Sequence, residues 1–281
     1  MLGDDISRLY KYLGQPSQNY LDFHTEEGFH KRINRIINHR SQATLANGSA
    51  RAGLPPRRSK IISVISFGKL PGRKLVASLA WAAAQRLKGK IPVRVADLIP
   101  VEDQHEEKHF LKSNNITHIL VDTSQQAVRM ESIKEVAWLG RQITSDDEPG
   151  LIYVDVPERV MHVRHHAMAT SDMVLVLLPA AIGALRAIEE IESELGESLA
   201  SSIEGGVHYL LAESADHEKL SQHLLDDLVS YTDLFVPDIL HVESIPSAKQ
   251  LSDGLKTDTA SIHDLLKIHH FIFGKIRREN R

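Results

Sequence analysis

Cysteine is absent from the 281 residues. That excludes a disulfide scaffold, thiolate zinc sites and thiol nucleophiles. No apolar run approaches the roughly 20 residues a membrane-spanning helix needs. Residues 31–60 contain no acid, residues 67–77 contain no Ser or Thr, and no repeat of fixed period is visible. The rest is ordinary for a folded chain: 42% hydrophobic and 25% charged residues rule out disorder throughout. At 31.4 kDa one large domain, or one domain with an appendage, is expected, and a core of that size needs no metal to hold it. The N-terminus, MLGDDISRLYKYLG, begins acidic and lacks a long apolar stretch. A cytosolic protein without a signal peptide is therefore expected.

The net charge of −4 hides an asymmetry. Residues 1–60 carry ten Lys/Arg against five Asp/Glu, and the remaining 221 residues carry 23 against 32. This reads as a basic arm on an acidic domain. Nucleic acid or anionic lipid is one candidate partner for the arm. However, the eight basic side chains of residues 31–60 have no interleaved aromatics, since Tyr20 and Phe29 lie outside the run. A tether between two interaction elements is the favoured reading.

Ile6, Leu9, Tyr10 and Leu13 stand at helical spacing, as do Phe29, Ile33, Ile36 and Ile37. Segment 41–59 is rich in Ser, Ala and Gly and holds Pro55-Pro56, as a linker does. The expected organisation is a helical arm over 1–40, a linker over 41–59 and a domain over 60–281. In the domain, Val/Ile-rich runs at 61–66, 91–97, 116–122, 150–157, 172–179, 206–212 and 234–242 alternate with helical patterns. This alternation predicts a three-layer α/β/α fold with a mostly parallel sheet.

Ligands of parallel sheets bind beyond the carboxyl ends of the strands, so the first strand-to-helix loop matters most. It reads Ser66-Phe67-Gly68-Lys69-Leu70-Pro71-Gly72-Arg73-Lys74, ahead of the helical LVASLAWAAA. Position, length, the glycines Gly68 and Gly72, and the cations Lys69, Arg73 and Lys74 suit a phosphate loop. The hydroxyl that would hold magnesium is missing, and Pro71 removes an amide donor. Without the metal, the largest electrostatic stabilisation of phosphoryl transfer is lost. The loop reads as a phosphate loop that has lost hydrolysis, or as a plain βα turn in an unrelated α/β protein.

Further along, VRVADLIP ends a strand in Asp97 before Pro100, and GLIYVDVPE places Asp155 before Pro157. MATSDMVLVLLPAAIGALRAIEEI sets Asp172 ahead of another strand. In this order and spacing, residues 60–273 resemble the ParA/MinD group of deviant-Walker P-loop ATPases. The resemblance implies that Asp97 is the remnant of the acidic switch residue and Asp155 that of the metal-linked Walker B aspartate. A narrower resemblance, carried by ASLAW and by the C-terminal third, is to the MinD-like BcsQ proteins of bacterial cellulose operons. DDISRLYKYLGQPSQNYLDF is similar to the short cellulose-operon protein BcsR, with Asp5, Leu9, Leu13 and Tyr20 at matching places, which makes these the partner-binding residues of the arm. A chain with both parts is similar to BcsP-type proteins.

The departures from the family pattern point one way. The family's signature lysine can correspond to Lys69. One register then puts Gly72 at the second lysine position, and a register one residue different puts Arg73 there. Neither restores a magnesium hydroxyl. Ile99 replaces the second acidic switch residue, and Ala212 stands where the family has an adenine-side Asn. What the resemblance implies is a non-catalytic pseudo-ATPase with no catalytic residues, metal or cofactor, serving as a regulatory or scaffolding subunit in cellulose biosynthesis and secretion. Its partners would be proteins of that machinery. It would pair as a homodimer or with an intact MinD-like ATPase, in the cytoplasm or at the cytosolic face of the inner membrane through those partners. The alternatives are an active nucleotide-binding ATPase of this group, or a relative that positions plasmids, pili or secretion systems.

HVRHH (162–166) could pair His162 with His166 on a metal, but without a third ligand nearby it reads as a solvated or pH-sensitive surface, and so does His269-His270. The acidic helix 187–198 reads as a solvated face or a docking surface for a basic arm. The last helix carries Leu265, Ile268, Ile272 and Ile276 on one face, which either packs on the domain or lies on a membrane.

Overall fold

The Val- and Ile-rich runs become strands because branched side chains pack well on a pleated surface. The computed structural model describes residues 28, 31–36, 59–98, 105–121, 140, 143, 149–156, 161–203, 205–213, 220–231, 233–247, 250–251 and 259–277. The elements run β1 (Lys60–Ser66), α1 (Gly72–Leu87), β2 (Val93–Asp97), α2 (His105–Ser113), β3 (Ile116–Leu120), β4 (Leu151–Val156) and α3 (Met161–Thr170). They continue with β5 (Met173–Pro179), α4 (Ala184–Ser202, broken at Gly196), β6 (Val207–Glu213), α5 (Gln222–Ser230), β7 (Leu240–His241) and α6 (Thr259–Arg277). Asp5, Leu9, Leu13 and Tyr20, the linker over 41–58 and Ile99 lie outside the described residues.

The seven strands form one sheet in the order β3-β2-β4-β1-β5-β6-β7. Every pairing is parallel. Side chains alternate between two buried clusters. Ile61, Ile65, Val154 and Val174 face α3, α4 and α5 through Val163, Ile188 and Leu224. Ile62, Val64, Tyr153 and Leu175 face α1, α2 and α6 through Leu75, Leu79, Phe110 and Ile268. A parallel sheet covered on both faces is the result, and the three-layer expectation holds.

At the amino edge, the Ile61 amide donates to Asp172 Oδ2 at 2.8 Å and Lys60 Nζ lies 3.3 Å from Oδ1. Asp172 thus pins the start of β1, at the opposite end of the sheet from the loop.

The run 234–242 is not one strand: Phe235 makes an isolated bridge to Tyr209, and only Leu240 and His241 form β7. Pro237 lies between them, without the N–H a ladder requires. His269 is fully buried rather than solvated, with its ring 4.4 Å from that of Phe273. Burial, helped by the charges of Arg86 and His270, lowers its pKa to about 4. Leu265, Ile268 and Ile272 of α6 lie in the core, so this stripe packs on the domain.

In the stretch expected to be an arm, residues 31–36 are helical, and Ile33 is fully buried in the cluster containing α4 and α5. This part is docked on the domain.

Candidate functional site

The connection leaving β1 runs to β2 on one side, and that leaving β4 runs to β5 on the other. The topological switch point therefore lies beyond the carboxyl ends of the adjacent strands β1 and β4, where sheets of this kind bind their ligands. Residues 66–74 lie at that point.

The loop is closed largely by its own backbone. The Phe67 amide donates to Leu177 O at 3.0 Å, the Leu70 amide to Phe67 O at 3.4 Å and the Gly72 amide to Leu70 O at 2.9 Å. Gly68 and Lys69 turn the chain with φ of 67° and 63°, a left-handed region that costs a lysine more than a glycine. Both are exposed, while Leu70 is buried in the core. Pro71 occupies the N-cap of α1 and contributes no side-chain cap. Gly72 is required by contact: an ideal Cβ there would lie 2.4 Å from Ser66 Oγ and 3.6 Å from Asp155 Oδ1.

The helix starts at Gly72, so Arg73 and Lys74 lie in its first turn. Arg73 does not face open solvent. Its Nη2 donates to Asp97 Oδ2 at 2.8 Å, and His118 Nε2 lies 2.6 Å from the same oxygen. Asp97 is buried, and its other oxygen, Oδ1, has no hydrogen-bond partner among the described residues. Asp155 stands in register with Asp97 on the neighbouring strand and is half-buried. Lys74 is half-buried as well, and burial lowers its pKa.

The structure thus brings together Gly72, Arg73, Asp97 and Asp155, with Gly68, Lys69 and Lys74 in the same loop and helix start. Sequence reasoning missed His118. Its signal was a polar residue on the same face of its strand as the residue paired with Asp97, readable only once the β2–β3 register is known. It also missed Arg164 of α3, which is buried over the Phe67 ring at 5.4 Å. Arg164 Nε donates to Glu194 Oε2 at 2.9 Å, and Nη2 donates to Glu190 and Glu194. Burial alone would lower its pKa, but these two carboxylates outweigh that and raise it.

Two surface readings fall with this. The acidic helix is not a plain solvated face: Glu190 and Glu194 hold Arg164, Glu192 accepts from the Tyr209 hydroxyl, and Glu189 pairs with Arg32. The histidine cluster is not a plain solvated surface either, because Arg164 and His166 are buried while His165 is exposed. Among the described residues, no group of three metal-ligating side chains is placed to hold an ion.

Residues 67–77 supply no hydroxyl, and of the two Asp97 oxygens Oδ2 is shared by Arg73 and His118.

No protein-family model matches the chain, and no curated protein matches it in sequence. Solved structures match in shape. A plasmid partition protein from Borrelia burgdorferi is 14% identical, with 78% of this chain and 100% of that one covered and a TM-score of 0.52. The MinD cell division protein of Aquifex aeolicus is 13% identical, with 77% and 98% covered and a TM-score of 0.50. The chain has the ParA/MinD-type P-loop fold. Cobyrinic acid a,c-diamide synthase from Mycobacterium smegmatis, with bound ATP analogue and magnesium, shares that fold at 13% identity, with 79% and 97% covered and a TM-score of 0.51. At these identities the likeness concerns the fold alone. Among the described residues of this ParA/MinD-type fold, no helix is long and apolar enough to cross a membrane.

Proposed function

We propose that this chain is a pseudo-ATPase that works through protein contacts, as a regulatory or scaffolding subunit of a bacterial cellulose-secretion system. The observation that carries the first half is the commitment of Arg73. A cation at the start of α1 is the group a phosphate loop offers its ligand. Here it is paired with the buried carboxylate of Asp97, so recruiting it would leave that buried charge to His118 alone. The missing hydroxyl, the proline at the N-cap and the Leu70 and Gly72 amides bonded within the loop work in the same direction. The second half rests on the BcsQ-like domain and BcsR-like N-terminal motif, and it includes pairing with a second copy or with an intact MinD-like ATPase.

Isothermal titration of the full chain with ATP and magnesium is expected to give no saturable heat. Micromolar binding with steady phosphate release overturns the pseudo-ATPase reading. For the cellulose assignment, the tagged chain is expected to co-purify with cellulose-secretion components, and to lose them when Leu9 and Leu13 are replaced by Asp. Co-purification with a plasmid, pilus or cell-pole system instead moves the chain to the other branch.

A second reading, a nucleotide-binding ATPase of the positioning kind, is favoured by the exposed Lys69 at a left-handed bend, where its ammonium can swing over the loop. A nucleotide seated at Gly68–Lys74 in a co-crystal is its expected signature.

A further inference from the structure

We propose that the face formed by α4 and α5 is a docking site for a basic amphipathic helix of a partner protein, and that the chain's own residues 31–36 occupy it in cis as a releasable clasp. Ile33 is the anchor: it is fully buried in the cluster that includes Ile188, Leu224 and Leu228. Ile36 packs against the same cluster from a half-buried position. Arg32, one residue before the anchor, pairs with Glu189 of α4. Tyr231, just after α5, donates its hydroxyl to Asn34 Oδ1 at 3.5 Å. Lys31 and Arg35 lie on the exposed side. The seat therefore reads two things, an aliphatic anchor and a guanidinium at the preceding position, while the helix it holds is basic on its outer face as well.

Glu189 is suited to this task because its neighbours are committed elsewhere. Glu190 and Glu194 hold Arg164 inside the domain, and Glu192 holds Tyr209. The 22 residues from 37 to 58 separate the clasp from Ser59. Fully extended they span at most about 75 Å, so the helix can leave its seat without disturbing β1. Tethering also sets a threshold. A short connector gives its own segment an effective concentration in the ~millimolar range, so a micromolar partner must bind the open seat far more tightly than the clasp does.

The experiment uses the full chain and a fluorescein-labelled peptide of residues 26–40 as the probe. Ile33→Asp in the chain empties the seat. Fluorescence anisotropy is expected to show at least ~10-fold tighter peptide binding to that variant than to the unaltered chain, by the tether arithmetic above. Adding Glu189→Arg should weaken peptide binding, and a peptide carrying Arg32→Glu should recover it. Equal affinity for open and closed chains, or indifference to Glu189→Arg, overturns the proposal. Should Ile33→Asp unfold the domain, Arg32→Glu in the chain opens the clasp from its edge and the same comparison applies. The absence of cysteine allows one more arm: an oxidised Arg32→Cys, Glu189→Cys chain should run as a monomer and refuse the peptide until reduced. A covalent dimer in that lane overturns the cis clasp.

Discussion

A β-carbon on residue 72 would lie 2.4 Å from Ser66 Oγ and 2.6 Å from Ser66 Cβ. Gly72→Ala therefore forces the first strand and the first helix apart. Urea denaturation is expected to show a loss of about 1–3 kcal/mol, although alanine is otherwise the better helix former. Ser66→Gly removes both offending atoms, so the double variant should recover most of the loss. His269 gives a residue-scale prediction with a pH axis. Its pKa is about 4 in the folded chain against 6.5 for the ordinary side chain, so the unfolded chain binds more protons between these values. Stability from keeping it neutral is complete above pH 6.5, is lost as pH falls from 6.5 to 4, and amounts to at most about 3 kcal/mol. Urea midpoints at pH 7.5 and 5.0 should diverge less for His269→Leu than for the unaltered chain. Some of this was legible in the sequence. Gly72 follows from a strand, a glycine-bearing turn and a helix in order, and Asp97 and Asp155 from the resemblance to the ParA/MinD group. His118 and Arg164 were not, because each matters through a residue more than 20 positions away. His269 was misread because an HH pair in an amphipathic helix does not say which histidine lies on the seam.

At the scale of elements, α3 and α4 are joined through one guanidinium. Arg164 is buried, Glu194 nearly so, and Glu190 is 45% exposed. Glu190 can turn to water if the arginine is lost, but Glu194 would be left with a buried, unpaired charge. Arg164→Met is expected to destabilise the domain by about 3 kcal/mol or more. Arg164→Met combined with Glu194→Leu should regain much of that, and thermal unfolding of the four chains measures the coupling. The strands were readable almost to the residue, since Val/Ile runs bounded by polar turns have few other fates. The edge strand β7 was not, because a nine-residue apolar run conceals what one proline does to a ladder. The acidic helix was misjudged for a related reason. Its Ile188, Ile191 and Leu195 betray an apolar face, whereas the arginine that meets its carboxylates belongs to another helix.

Across the whole molecule, the layers came from alternation alone, and the clasp could not, since nothing local to residues 31–36 says which surface receives them. Amide exchange is expected to be slowest in β1, β4 and β5, which have neighbours on both sides, and faster in β3 and β7 at the edges. Adding ATP and magnesium should leave exchange over residues 66–74 unchanged if the loop is a remnant; new protection there counts against the pseudo-ATPase. The place of β1 in that sheet has a last consequence, for synthesis. The central strand is made first and then waits: Lys60 pairs with Leu151 and Ile62 with Met173. At ~5–20 residues per second on the ribosome, the KIISVIS segment spends on the order of 5–20 seconds outside the tunnel with no native strand partner, a window in which a chaperone or a neighbouring nascent chain can reach its edges first.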